Sequence, residues 1–282
     1  MALEIKILDL GDIELENSFL VLGHNCGRIA RVPVYSYLIL GGTWPILVDT
    51  GYRDNAIMES LGMRGLQFHE NMIENQLARF GLKLGDIRYI LHTHLHIDHA
   101  GKDDLFPMNT TVVVNRRELE CAVSGLMHPQ YPQPDTKHLI DRLHTKDALR
   151  FLDLEITNGE EIMPGVWCEP AHAHTEGSMN VVVETADGLA NICGDVIYDF
   201  NDQIIEPVMQ TQFMEPQVTG NHAGSKRAEK GSIKKLLHNY KYLLPIHDKP
   251  ALIEDQQVVG RLEQQIPGPV TQSLPKRNWF AV

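Results

Sequence analysis

Residues 92–101, HTHLHIDHAG, bring His94, His96, Asp98 and His99 within one short segment. Imidazole nitrogen and carboxylate oxygen suit a borderline divalent ion, and four such donors this close can serve two ions. Any fold that carries the segment must hold it rigid and bring further donors to it. The spacing has a physical logic. In extended chain alternate side chains share a face, so His94 and His96 point the same way and grip one ion. If the chain then turns into a helix start, Asp98 and His99 point together at a second ion. The apolar run Tyr89, Ile90, Leu91 just ahead reads as a buried strand, and Ala100 and Gly101 just behind allow close backbone packing. A surface histidine cluster seldom includes a carboxylate at a fixed offset in such a strand-to-loop setting.

Four residues cannot complete the coordination of two ions, so donors must return later in the chain. Three segments offer them. In EPAHAHTEGS, residues 169–178, a strand-like stretch leads to His174, with Gly177 three residues on. His172 shares a face with His174 if this segment is extended, and it competes as the ligand or as a supporting partner. In ANICGD, residues 190–195, a short strand ends in a glycine and Asp195, a candidate bridge between two ions. In YLLPIHD, residues 242–248, another strand ends in His247. Each donor lies where an apolar strand meets a polar loop, the usual place for a site built on a rigid sheet.

Taken in order, the HxHxDH signature, the later His, the GD pair and the strand-end His resemble the metallo-β-lactamase superfamily of hydrolases. ILVDTG, residues 46–51, is similar to the superfamily's first motif and sets Asp49 beneath the metal ligands. The resemblance runs from about residue 34 to residue 247. It implies one domain over residues 1–282, of class α/β, a four-layer αβ/βα sandwich whose two similar halves enclose the site. It assigns His94, His96 and His174 to one metal and Asp98, His99 and His247 to the other, with Asp195 bridging. Two divalent ions are implied, zinc first, and manganese, iron and cobalt suit the same donors. There are departures. The chain reads AHTEGS where many relatives read GHTPGH, so Ala173 and Ser178 replace a glycine and a second histidine. His96, where oxygen-reducing di-iron relatives tend to carry Glu, argues for hydrolysis.

Three positions after Asp195, Tyr198 completes a DxxY that resembles the N-acyl homoserine lactonases. RVPVYSYLI, residues 31–39, and the closing IHD are similar to lactonases of that branch, including the 4-pyridoxolactonase type. Tyr198 also suits a half-buried core position, because its body is apolar and its tip polar. The resemblance implies that a hydroxide bridging the two metals opens the lactone ring of a small molecule. Tyr198 would polarise the carbonyl, and Asp98 or Asp195 would carry the proton to the leaving alkoxide. The alternatives are a thioester hydrolase resembling glyoxalase II, a small-molecule phosphodiesterase, and a metal-binding sensor or scaffold without catalysis.

Composition narrows the partners. A net charge of −12 speaks against a nucleic-acid partner, since phosphate binding needs a basic surface, and favours a small neutral substrate such as a lactone. At 43% hydrophobic the 282 residues can bury a sizeable core, yet no run approaches membrane-spanning length. The opening MALEIKILDLGDIELE has acids where a signal peptide needs a basic flank, and the four cysteines form no CxxC pair, so a cytoplasmic location without membrane contact is expected.

Periodicity predicts strands near residues 5–10, 35–40, 45–48 and 111–114. It predicts helices over residues 69–80 and 116–123, and an amphipathic one after Ser225 with Ile233, Leu236 and Leu237 inward. Residues 125–145, with three prolines and little periodicity before a short helix, form either a lid or pocket wall or a stiffened surface connection. Met63, Phe68, Tyr131 and Phe213 are the expected apolar lining. His222 either contacts substrate or caps the following helix.

Overall fold

The computed structural model describes residues 2–125, 128–207, 215–220 and 224–276. Its first strands, β1 (Glu4–Glu16) and β2 (Ile29–Leu40), pair antiparallel in a long arm whose register shifts between Asp9 and Asp12. β3 (Ile46–Val48), β4 (Arg64–Leu66), β5 (Tyr89–Leu91), β6 (Thr111–Asn115) and β7 (Leu149–Leu152) extend this sheet in the order β1-β2-β3-β5-β6-β7, with β4 paired to β1. Within it β3, β5, β6 and β7 run parallel. The second sheet holds β8 (Glu160–Met163), β9 (Val166–Pro170), β10 (Met179–Thr185), β11 (Gly188–Gly194), β12 (Tyr242–Pro245), β13 (Ala251–Glu254) and β14 (Gln257–Arg261). The chain closes with β15 (Gln265–Ile266), which returns to β1, and β16 (Gln272–Ser273), which pairs with β14.

Burial assigns the layers. Val48, Leu91 and Val113 from the first sheet share a core with Val181, Ile192 and Leu244 from the second. On the outer face of the first sheet, Leu38, Leu47, Ile90 and Val112 lie with residues of the helices that cover it. The helices in chain order are α1 (Asn55–Met58), α2 (Ile73–Ala78), α3 (Arg116–Ala122), α4 (Gln133–Leu143), α5 (Leu154–Thr157) and α6 (Lys226–Asn239). α2, α3 and α4 supply that outer layer with Leu77, Leu119 and Leu139, while α6 covers the second sheet with Ile233 and Leu236. The order is helix, sheet, sheet, helix, the four-layer α/β sandwich expected. Strands covered on both faces have no polar side to show water, which is why β3, β6 and β12 are buried at every residue.

Two segments depart from expectation. The helix expected over residues 69–80 is a 3-10 turn, His69–Asn71, an extended Met72, and then α2. Asn71 accepts from the Phe68 N–H at 3.1 Å and donates to the Asp9 carbonyl at 3.3 Å, and such local bonds compete with helix continuation. In the segment 125–145 the helix is eleven residues long rather than short. Pro132 and Pro134 mark its first turn, where a missing N–H costs nothing. Its buried positions are Asp135, Leu139 and Arg142, and two charged residues among three disguise the stripe. Arg142 is fully buried and donates to the carbonyls of Asp103, Phe106 and Thr110. Among the described residues, no helix is long and apolar enough to cross a membrane.

β3, β5, β9, β11 and β12 deliver the motif-bearing loops from their C-terminal ends, the crevice where open α/β sheets place their sites. Backbone bonds join the two sheets at this rim. The Tyr35 N–H donates to the Ile246 carbonyl at 3.0 Å, and the Met179 N–H to the Thr93 carbonyl at 2.8 Å.

Candidate metal centre

Beyond β5 the chain leaves the ladder, and the expected helix start is a single turn. The N–H groups of His99 and Ala100 both donate to the His96 carbonyl, at 3.0 and 3.2 Å, before Ala100 bridges to Gly51. That one turn suffices to aim Asp98 and His99 together. After β9 the loop is not extended, because His172 (φ 54°) and His174 (φ 63°) are both left-handed. They therefore do not share a face: His172 is exposed, while His174 is buried and turned toward the first motif. Asp195 follows Gly194, and His247 stands two residues past β12.

The seven side chains converge and are all buried, Asp98 being the most open at 9% exposure. His94 Nε2, His96 Nδ1 and His174 Nε2 form a triangle with edges of 3.0, 3.1 and 3.0 Å. Beside it, His247 Nε2 lies 3.4 Å from Asp98 Oδ2, and His99 Nε2 lies 3.7 Å from Asp98 Oδ1. Asp195 sits between the groups with its oxygens divided. Oδ2 faces His94 and His174 at 3.7 and 3.5 Å, and Oδ1 faces His99 and His247 at 3.3 and 3.4 Å.

Hydrogen bonds fix which ring nitrogens face the centre. His99 Nδ1 donates to Asp49 Oδ2 at 2.9 Å and His247 Nδ1 donates to the Pro33 carbonyl at 2.9 Å, which leaves Nε2 of each ring facing inward, open to a proton or a metal ion. Those two Nε2 atoms, His96 Nε2 and Asp195 Oδ1 are buried without a hydrogen-bond partner among the described residues. Burial opposes charge on every ring. It prevails at His94, His96 and His174, the last pushed down to about 4. At His99 and His247 the neighbouring carboxylates, Asp195 foremost, overcome it and lift His247 to about 10. Three neutral imidazoles on one side and a demand for positive charge on the other fit two divalent cations. With Zn–N bonds of about 2.0–2.1 Å, tetrahedral donors stand about 3.3 Å apart, close to the edges of the histidine triangle.

Further buried residues support the ligands, and of these His92 and Glu118 carry no local signal in the sequence. Asp49, expected beneath the ligands, accepts from the Thr93 N–H and hydroxyl at 2.9 and 2.7 Å as well as from His99. His92 reaches Asp49 at 3.3 Å and Asp103 at 2.9 Å, so both its ring nitrogens face buried carboxylates. Glu118 of α3 accepts from the Leu95 N–H, the Tyr131 hydroxyl and the Thr175 hydroxyl. Only the three-dimensional fold brings these pairs together.

A small cavity of about 20 Å³ borders the centre, lined by His96, Asp98, Gln130 and Tyr198 with an apolar wall that includes Ile13 and Met63. Tyr198 stacks on His247, ring centroids 5.0 Å apart, and meets His174 edge-on at 5.8 Å. Of the expected lining, Met63 is present. Tyr131 packs behind His96 at 4.9 Å, and Phe68 is 56% exposed and lines none of the cavity, because the turn at residues 69–71 carries it outward. Phe213 and His222 lie outside the described residues.

Residues 29–238 match the family described as the metallo-beta-lactamase superfamily. The chain belongs to that superfamily. The match takes in six of the seven converging residues, and His247 lies beyond it. Among relatives of this superfamily member, an N-acyl homoserine lactonase of Bacillus cereus is 31% identical over 192 residues, 63% of this chain and 70% of the relative. A B. thuringiensis AiiA variant solved with N-decanoyl-L-homoserine at its active site is 25% identical, with a TM-score of 0.66 over 84% of this chain and 88% of that one. AidC, a dizinc quorum-quenching lactonase solved with a product, is 16% identical with a TM-score of 0.63, and shares the fold over 98% of this chain and 95% of its own.

The loop after His174 depends on a glycine. A Cβ at Gly177 would stand 2.0 Å from the backbone nitrogen of Glu118, so α3 can press on this loop only if the residue has no side chain. Gly177→Ala should cost about 1–3 kcal/mol of stability in urea denaturation and weaken metal binding at the histidine triangle. Wild-type stability and metal binding in this variant would contradict the close packing.

Proposed function

We propose that the protein is a dinuclear metal-dependent lactonase, a carboxylic ester hydrolase acting on small lactones of the N-acyl homoserine type. The observation that carries this reading is Asp195, whose two oxygens divide between two sets of buried donors, in a chain whose relatives include N-acyl homoserine lactonases. His94, His96 and His174 would hold one ion, Asp98, His99 and His247 the other, and Asp195 both, with zinc the first expectation. When bound, such a pair of ions supplies a nucleophile from water at neutral pH and polarises the substrate carbonyl.

The chain's own residues do the rest. Tyr198 borders the cavity and is held by stacking on His247, so its hydroxyl is the donor for the carbonyl oxygen as negative charge develops there. Asp98 also borders the cavity, with 12% of its side chain exposed against 2% for Asp195. Asp98 is therefore the better placed of the two carboxylates to take up the proton that the attacking water loses and pass it to the leaving alkoxide. Residues 130–143 read as a fixed wall more than a swinging lid, since Tyr131 is tied to Glu118, Asp135 to Arg53 and Arg142 to four carbonyls. The cavity's described lining contains no lysine or arginine, and its apolar wall of Ile13, Leu15, Leu61 and Met63 suits an acyl arm better than the anionic carrier of a thioester. The cytoplasmic reading rests on four free cysteines.

Two experiments test this. A lactone, a thioester and a phosphodiester should be compared on protein of measured metal content, before and after chelation. The lactone should be preferred at least about tenfold, chelation should abolish turnover, and zinc, manganese or cobalt should restore it. Undiminished lactone hydrolysis by chelated protein would end the metal reading, and preference for another substrate the lactone reading. For Tyr198→Phe, kcat on the lactone should fall about 100-fold with metal content unchanged, the usual cost of losing one oxyanion donor. An unaltered kcat would remove Tyr198 from the mechanism.

A further inference from the structure

We propose that Glu118 is the positioning residue of the His94, His96 and His174 cluster, a buried carboxylate that locks together the two loops carrying these histidines. The proposal rests on the dinuclear reading above. Its basis is where the three donors to Glu118 come from. Oε1 accepts from the Leu95 N–H at 3.0 Å, the residue between His94 and His96. Oε2 accepts from the Thr175 hydroxyl at 2.6 Å, the residue directly after His174. Oε1 also accepts from the Tyr131 hydroxyl at 3.0 Å, and the Tyr131 ring lies against His96. One side chain thus reaches the segments that carry all three histidines.

The chemistry of Glu118 argues for a specific task. It is 1% exposed, and among the described residues its hydrogen-bond donors are an amide and two hydroxyls, with no lysine or arginine. A buried anion held only by neutral donors is costly, and an apolar residue would fill the same volume at less expense. Its reach is also fixed from outside. Gly177 admits α3 at a separation that no Cβ could share, and Asn115 Nδ2 donates to the Gly177 carbonyl at 2.9 Å, so the helix and the His174 loop move as one.

The second half of the centre is supported differently. His99 is held by Asp49, and His247 by the Pro33 carbonyl, neither of which bonds to Glu118. Loss of Glu118 should therefore loosen one ion and spare the other. A residue that merely stabilised the fold would affect both alike.

The test uses the full chain with Co2+ as the probe, following stepwise affinities by chelator competition and cobalt absorption, for wild type, Glu118→Ala, Glu118→Gln and Thr175→Val. Glutamine keeps an acceptor for Leu95 and Tyr131 and can donate to the Thr175 oxygen. In E118A one cobalt affinity should fall about 10–100-fold while the other stays within about threefold of wild type, the range expected when a ligand's support is lost. T175V should weaken the same ion, and E118Q should restore near-wild-type affinity to it. Wild-type affinities in E118A, equal weakening of both ions, or E118Q as defective as E118A would each overturn the proposal. If E118A does not fold, T175V decides: unchanged cobalt affinities there overturn it. Wild-type protein that binds fewer than two cobalt ions would instead overturn the dinuclear reading itself.

Discussion

A carboxylate buried to 3% exposure between two sets of imidazoles is the constraint on which the centre depends. Among the described residues, Asp195 has no lysine or arginine within ion-pairing reach, and its ion-pair partners are the rings of His94, His99, His174 and His247. In a low-dielectric interior an anion in that position needs positive charge close to both oxygens; His99 and His247 beside Oδ1 are driven toward protonation, whereas His94 and His174 beside Oδ2 are held neutral. Cations shared between Asp195 and the rings would answer that need on both sides at once. The remaining features of the site keep the lone pairs aimed at those two positions.

The fold meets this demand by stiffness. The ligand loops leave strands packed in the two sheets, and the two sheets are hydrogen-bonded to each other at the rim where the loops meet. Beneath the loops, Asp49 gathers His99 and Thr93, and Glu118 gathers the segments around His96 and His174. The centre is two supported halves joined by Asp195. Tyr198 and Asp98 face the cavity from that joint, so the groups that would touch a substrate are oriented by the residues that would hold the ions.

Much of this was legible in the sequence, for a physical reason. Metal chemistry restricts both residue type and spacing, so HTHLHIDHAG and the three strand-end donors stand out, and apolar runs bounded by polar loops reveal the strands that carry them. His174 was preferred to His172 through the family resemblance, with Gly177 three residues on, but the reason the two part was not legible, since it turns on two left-handed backbone angles that the residue types do not announce. Glu118 was hidden because it meets its partners across separations of 23 and 57 residues, and an isolated glutamate on a short helix looks like a solvated one. The full length of α4 was hidden because its buried stripe is mostly charged, with Asp135 and Arg142 satisfied by partners far away in sequence. Phe68 misled through hydrophobicity alone, which says nothing about the turn that points it outward.

Whether two cations share Asp195 can be read from anomalous diffraction by crystals of the zinc-loaded protein. Two zinc peaks are expected to flank the Asp195 carboxylate, one enclosed by His94, His96 and His174 and the other by Asp98, His99 and His247. A single peak, or zinc bound away from Asp195, would contradict that sharing.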